Sequence, residues 1–76
     1  MKIEWSPAAR ISAHRYISDQ DGMQAIGVAV SALAAAPNPP AAFVRGDYRR
    51  LKVGSYRIMY VVEVDVITIE RVDRVI

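Results

Sequence analysis

Residues 48 to 71 alternate between apolar and polar side chains, and the alternation breaks at Gly54-Ser55 and again at Val64-Asp65. A period of two, rich in Val, Ile and Tyr and punctuated by two-residue turn signals, commits this part of the chain to antiparallel strands. The expected strands are 48–53, 56–63 and 66–71, joined as a meander. Closing Gly54-Ser55 as a two-residue turn sets Val53 opposite Tyr56, Lys52 opposite Arg57, Leu51 opposite Ile58 and Arg50 opposite Met59. One face then carries Leu51, Val53, Tyr56, Ile58 and Tyr60, and the other carries Tyr48, Arg50, Lys52 and Arg57. A slip of one residue would bury three cations, so the register is strongly specified. The same alternation carried through the last hairpin adds Thr68, Glu70, Val72 and Arg74 to the cationic face and sets Arg74 near Arg57.

Upstream the period changes. "MKIEW" alternates and predicts a short strand, stopped by Ser6 and Pro7. Ser6 suits an N-cap and Pro7 the first helical position, which predicts a helix over 7–17 with Ala8, Ile11 and the stem of Arg15 covered. "SDQDG" breaks it. Met23, Ile26, Val30 and Leu33 then recur at helical spacing, predicting a second helix from about 21 to 36 that Pro37 ends. The three prolines of "PNPPAAFVRGD" predict an irregular crossing. The reading is α+β: an N-terminal strand, a helical hairpin, then a three-stranded antiparallel meander, with residues 1–76 as one domain. Trp5 and Tyr60 are core candidates.

A chain of 76 residues is near the lower limit for stability from a hydrophobic core alone. It has no Cys and one His, so disulfides and nitrogen- or sulfur-rich metal clusters are excluded, and no metal or cofactor is expected. With 53% hydrophobic residues and a mean hydropathy of +0.13, some apolar surface is expected to meet another chain. The outward positions of the second helix (Gln24, Gly27, Ala29, Ser31, Ala32, Ala35) are small and uncharged, and are the expected contact. No signal peptide and no apolar run of the ~18 residues needed to span a bilayer is visible, so a cytoplasmic protein without a membrane partner is expected. No glycosidase-like or two-metal carboxylate pair and no Gly-rich phosphate loop is present.

The charge is local. The net charge is only +2, yet Arg45, Arg49, Arg50, Lys52 and Arg57 stand against the single acid Asp47, while residues 22–44 carry no charge. Such a face is either solvated or a site for something anionic.

With this order of elements, "EWSP" opening the first helix, the Pro-rich crossing, "VRGDYRRLKVGSYRIMY" and the closing "VITIERVDR", nearly the whole chain resembles the RelE/ParE superfamily of bacterial type II toxins, and the RelE branch in particular. The most specific element is the hairpin of Leu51, Lys52, Gly54, Tyr56, Arg57, Ile58, Met59 and Tyr60, preceded by the pair Arg45-Gly46. The resemblance implies a microbial ribonuclease fold that enters the ribosomal A site, cuts mRNA there and is held inactive by a cognate antitoxin. It implies working residues at Arg45, Arg50, Lys52 and Arg57, with Arg74 standing for the last strand's basic position. Asp73 occupies a place where the superfamily prefers Gly. A C-terminal segment with a Tyr or His, common in strongly cleaving members, has no match here, so weakened activity is expected.

Cleavage by 2′-hydroxyl attack needs a proton removed, charge stabilised on the pentavalent phosphate and the 5′-oxygen protonated. Arg45 and Arg57 suit the second task, since a guanidinium grips two phosphate oxygens. Lys52, between Arg50 and Arg57, is the candidate base, and Tyr48 could donate a proton or stack on a base. Arg49, Arg10, His14 and Arg15 are candidate RNA contacts. The expected partners are the antitoxin, the ribosome and mRNA, with a homodimer or toxin–antitoxin hetero-oligomer through the second helix, and operator DNA only through the antitoxin. Two other functions fit: a ParE-like inhibitor of DNA gyrase, or a weakened homologue that mainly binds antitoxin and co-represses its operon.

Overall fold

The computed structural model describes residues 1–75. Its elements are β1 (Lys2–Trp5), α1 (Pro7–His14), α2 (Gln20–Ala35), β2 (Phe43–Arg45), β3 (Tyr48–Val53), β4 (Tyr56–Val62) and β5 (Val66–Arg74). The fold is α+β, as the alternation and helical spacing required. One five-stranded sheet has the order β1-β5-β4-β3-β2, with β1 parallel to β5 and the other neighbours antiparallel. The expected meander forms its centre.

Both helices pack on one side of this sheet. Ile26, Val30 and Leu33 of α2 and Ala9 of α1 meet Leu51, Tyr56, Ile58, Tyr60, Ile67, Ile69 and Val72 in one core. The expected face of the hairpin is therefore the buried one, and the β3–β4 register matches the sequence reading pair for pair. Both tight hairpins place glycine where the backbone turns left-handed: Gly46 at φ 61° and Gly54 at φ 60°, each the first residue of a two-residue loop. Type II′ turns require that conformation, and they match the strand twist.

Three expectations are corrected. The Pro-rich crossing is not irregular to its end, because Phe43–Arg45 adds an edge strand to β3 through the Gly46-Asp47 turn. Helix α1 stops at His14, and residues 16, 17 and 19 continue in tighter bonds to carbonyls three residues back. Its covered side is also different: Ala9 and Ser12 are buried, whereas Ala8 is exposed and Ile11 is 64% exposed. The Ser6 cap, accepting from the Ala9 N–H at 3.0 Å, fixes this phase. Small residues at 9 and 12 let the helix lie directly against β5, where the Ser12 hydroxyl accepts from the Val72 N–H at 3.0 Å and donates to the Ala9 carbonyl.

The largest correction lies in β5. Met59 pairs with Arg71 but Tyr60 pairs with Ile69, so Glu70 is an extra residue, a β-bulge. Past it, the alternation inverts. Val72 and Arg74, expected on the cationic face, lie on the helix side, with Val72 fully buried, while Arg71 and Asp73 take the open side. Ser6 anchors the bulge, donating its hydroxyl to the Glu70 carbonyl at 3.1 Å and its N–H to the Ile69 carbonyl at 2.9 Å.

Candidate nucleic-acid interface

The sheet face opposite the helices is where the sequence's cations converge. The ladder pairs Lys52 with Arg57, Arg50 with Phe43 and with Met59, and Arg45 with Tyr48. Arg45, Tyr48, Arg50, Lys52 and Arg57 therefore share one open face, floored by the half-buried Met59 and Val61. Two ion pairs occur among the described residues, Lys2 with Glu4 and Arg71 with Asp73. Neither involves Arg45, Arg50, Lys52 or Arg57. Four cations held on adjacent strands without a carboxylate partner repel one another, and an anion laid across them relieves that repulsion.

Arg57 is at the centre of the group. It is half-buried between Lys52 on β3 and Asp73 on β5, and its Nε is buried with no hydrogen-bond partner. Asp73 is the nearest carboxylate by register but is engaged elsewhere: its Oδ1 accepts from Arg71 Nε at 2.8 Å, which holds the Arg71 guanidinium more firmly protonated. Asp73 thus pairs with Arg71 and not with Arg57. On the other flank the Arg50 guanidinium carbon lies 4.6 Å from the Phe43 ring centroid, a cation–π contact between neighbouring strands.

Other candidates lie elsewhere. Arg74 is on the helix side, over the rings of Tyr16 at 6.0 Å and Tyr56 at 5.8 Å, and is separated from Arg57 by the sheet. Arg49 faces the helix side too, where its guanidinium donates to Asn38 Oδ1 at 2.7 Å and to the Gly46 carbonyl. It clamps the β2–β3 turn to the crossing. Arg15 shares a hollow with Arg71, Ala8, Ile11 and Ser12, which continues the basic surface around the β5 edge, whereas Arg10 and His14 border a separate hollow on α1. The outward side of α2 is exposed at Gln24, Gly27, Ser31, Ala32 and Ala35, while Ala29 packs partly against the core. No helix among the described residues is long and apolar enough to cross a membrane.

Phe43 and Arg71 escaped the sequence reading. The signal for Phe43 was present in "FVRGDY", an apolar pair and a cation before a two-residue Gly-Asp turn. The bulge that turns Arg71 outward leaves no mark in the alternation.

A family model described as the ParE toxin of type II toxin–antitoxin system, parDE, matches residues 3–75. The chain belongs to this family, and through it to the RelE/ParE toxin superfamily; the narrower assignment to the RelE branch does not follow from the match. Neither the curated proteins nor the solved structures contain a significant match. A type II toxin implies a cognate antitoxin as partner.

Proposed function

We propose that this toxin is a ribosome-dependent endoribonuclease acting in the cytoplasm, and that the open sheet face is where it grips mRNA. The observation that carries the reading is the convergence of Arg45, Arg50, Lys52 and Arg57, none in an ion pair, on the face that the helices leave free. A phosphate of single-stranded RNA seated there meets the guanidinium of Arg57, which takes part in no ion pair. As the 2′-oxygen attacks phosphorus, charge grows on the non-bridging oxygens, and Arg57 with Arg45 stabilises it. Lys52, directly across the ladder from Arg57, grips the phosphate as an ammonium and, once that ammonium has released a proton to water, its amine takes the 2′-hydroxyl proton; Tyr48, next to Arg45, donates to the departing 5′-oxygen. The products are a 2′,3′-cyclic phosphate and a 5′-hydroxyl. The antitoxin holds the toxin inactive by covering apolar surface that includes the exposed side of α2.

The family match is equally compatible with a second reading, inhibition of DNA gyrase, which needs no cationic cleavage site. Two assays on the purified toxin separate them: mapping of new 5′ ends on ribosome-bound mRNA, and supercoiling of relaxed plasmid by gyrase. Cuts at fixed codon positions with unimpaired supercoiling establish the nuclease. Blocked supercoiling without cuts overturns it in favour of gyrase. Antitoxin binding with neither effect identifies a homologue that serves only the antitoxin and its operon.

A further inference from the structure

Beside the cations is a depression of about 330 Å³ lined by Phe43, Arg45, Tyr48, Arg50 and Met59. Phosphate binding alone does not account for it. A phosphate site calls for guanidinium and ammonium groups alone, yet beside Arg45 and Arg50 this hollow presents two aromatic rings and a thioether. Phe43 is 52% exposed on a three-residue edge strand, a position where an apolar ring invites edge-to-edge association. Tyr48 stands on the neighbouring strand, and Met59 forms the floor one strand further in. The Arg50 guanidinium carbon already lies 4.6 Å from the Phe43 ring centroid.

Planar rings, a guanidinium plane and a polarizable floor are what an unstacked nucleobase seeks in a protein. We infer that this depression binds one nucleobase of single-stranded RNA, sandwiched between the Phe43–Arg50 stack and Tyr48, while Arg57 and Lys52 hold the adjoining phosphate. The inference rests on the proposed RNA-gripping face and specifies its substrate: a nucleotide with its base splayed out, not a duplex, whose stacked bases could not reach Phe43. It also gives the short β2 strand a purpose, because that strand is what carries Phe43 and Arg45 to the face. Stacking accepts any base, so the hollow sets strandedness and position and leaves codon choice to other contacts.

Nuclear magnetic resonance titration of the full chain with two probes tests this: adenosine 5′-monophosphate, and ribose 5-phosphate, which lacks the base. The nucleotide is expected to shift the Met59 methyl and the ring protons of Phe43 and Tyr48 along with the side chains of Arg57 and Lys52. Ribose 5-phosphate shifts only Arg57 and Lys52. Phe43→Ala, at a half-exposed edge position, keeps the fold and weakens the nucleotide by about fivefold or more, in line with the cost of losing a stacking partner, while ribose 5-phosphate binds as before. Equal shifts from both probes, confined to Arg57 and Lys52, overturn the base site and leave the phosphate reading standing, as does unchanged nucleotide affinity in Phe43→Ala. Absence of any shift at Arg57 and Lys52 with either probe overturns both.

Discussion

Single side chains tie the helices to the sheet at points the hydrophobic pattern does not mark. Ser12 is one. Its buried hydroxyl satisfies the Val72 N–H, so Ser12→Ala strands a buried donor, and denaturant unfolding should show a loss of about 1–3 kcal/mol. Asp19 is another. It caps α2 by accepting from the Gly22 N–H at 3.0 Å and also accepts from the Tyr56 hydroxyl at 2.6 Å. The Tyr56 hydrogen bond, then that from Gly22, pulls the Asp19 carboxyl below its ordinary range; the bond to Asp19 pushes the Tyr56 phenol above its own. A lowered acid stabilises the fold fully above its unfolded pKa and loses that contribution as pH falls through the folded value. The raised phenol contributes below pH ~10 and is lost as pH rises through its folded value. In Tyr56→Phe the Asp19 carboxyl should titrate nearer its ordinary value, readable from its carbon resonance, and the variant, less stable at neutral pH, should lose less stability than the wild type on acidification. Gly22 belongs to the same arrangement, since a Cβ there would meet Asp19 Oδ2 and Tyr56 Cε2 well inside contact distance. Gly22→Ala should break the clasp and mimic the Tyr56→Phe titration.

The bulge at Glu70 decides which residues of β5 belong to the site. Because Ser6 anchors it and the core seats Val72, a charge at position 72 has nowhere to go: Val72→Asp should unfold the chain at room temperature, whereas Glu70→Lys should leave the melting temperature nearly unchanged. A regular ladder would put residues 70 and 72 on one open face, and both substitutions would then be tolerated. Most of the fold was legible at this scale. Gly54-Ser55 fixed the β3–β4 register, the spacing of Met23, Ile26, Val30 and Leu33 fixed α2, and the cationic and apolar halves of the hairpin separated as alternation requires. Three features were not legible for physical reasons. A bulge adds a residue without changing composition, so alternation carried past it inverts every face. Strand β2 has only three residues, too few for a period, and follows three prolines. The phase of α1 depends on Ala9 and Ser12 being small enough to lie against β5, while pattern reading seeks large apolar residues and settled on Ile11.

For the molecule as a whole, the division of labour is between two sides of one sheet. The helix side holds the core and, with Arg74 and Arg49, uses cations as structural parts; the open side holds cations that no carboxylate neutralises. Binding to RNA phosphate should therefore weaken steeply with salt, and Lys52→Ala should flatten the slope of log affinity against log salt by about 0.7, one single-strand phosphate contact. Arg49→Ala, which loses a turn clamp, should leave the slope alone. The most direct test of the open face as the working surface compares Arg57→Ala with Arg74→Ala in cleavage of mRNA on programmed ribosomes, with folding checked by circular dichroism. Arg57 lies on the open face of β4, whereas the bulge places Arg74 across the sheet among Tyr16 and Tyr56. The account predicts that Arg57→Ala loses about 10²–10³-fold in cleavage rate while staying folded, the scale for removing a transition-state donor, and that Arg74→Ala cleaves at close to the wild-type rate. Wild-type cleavage by a folded Arg57→Ala, or its loss in a folded Arg74→Ala, would contradict it.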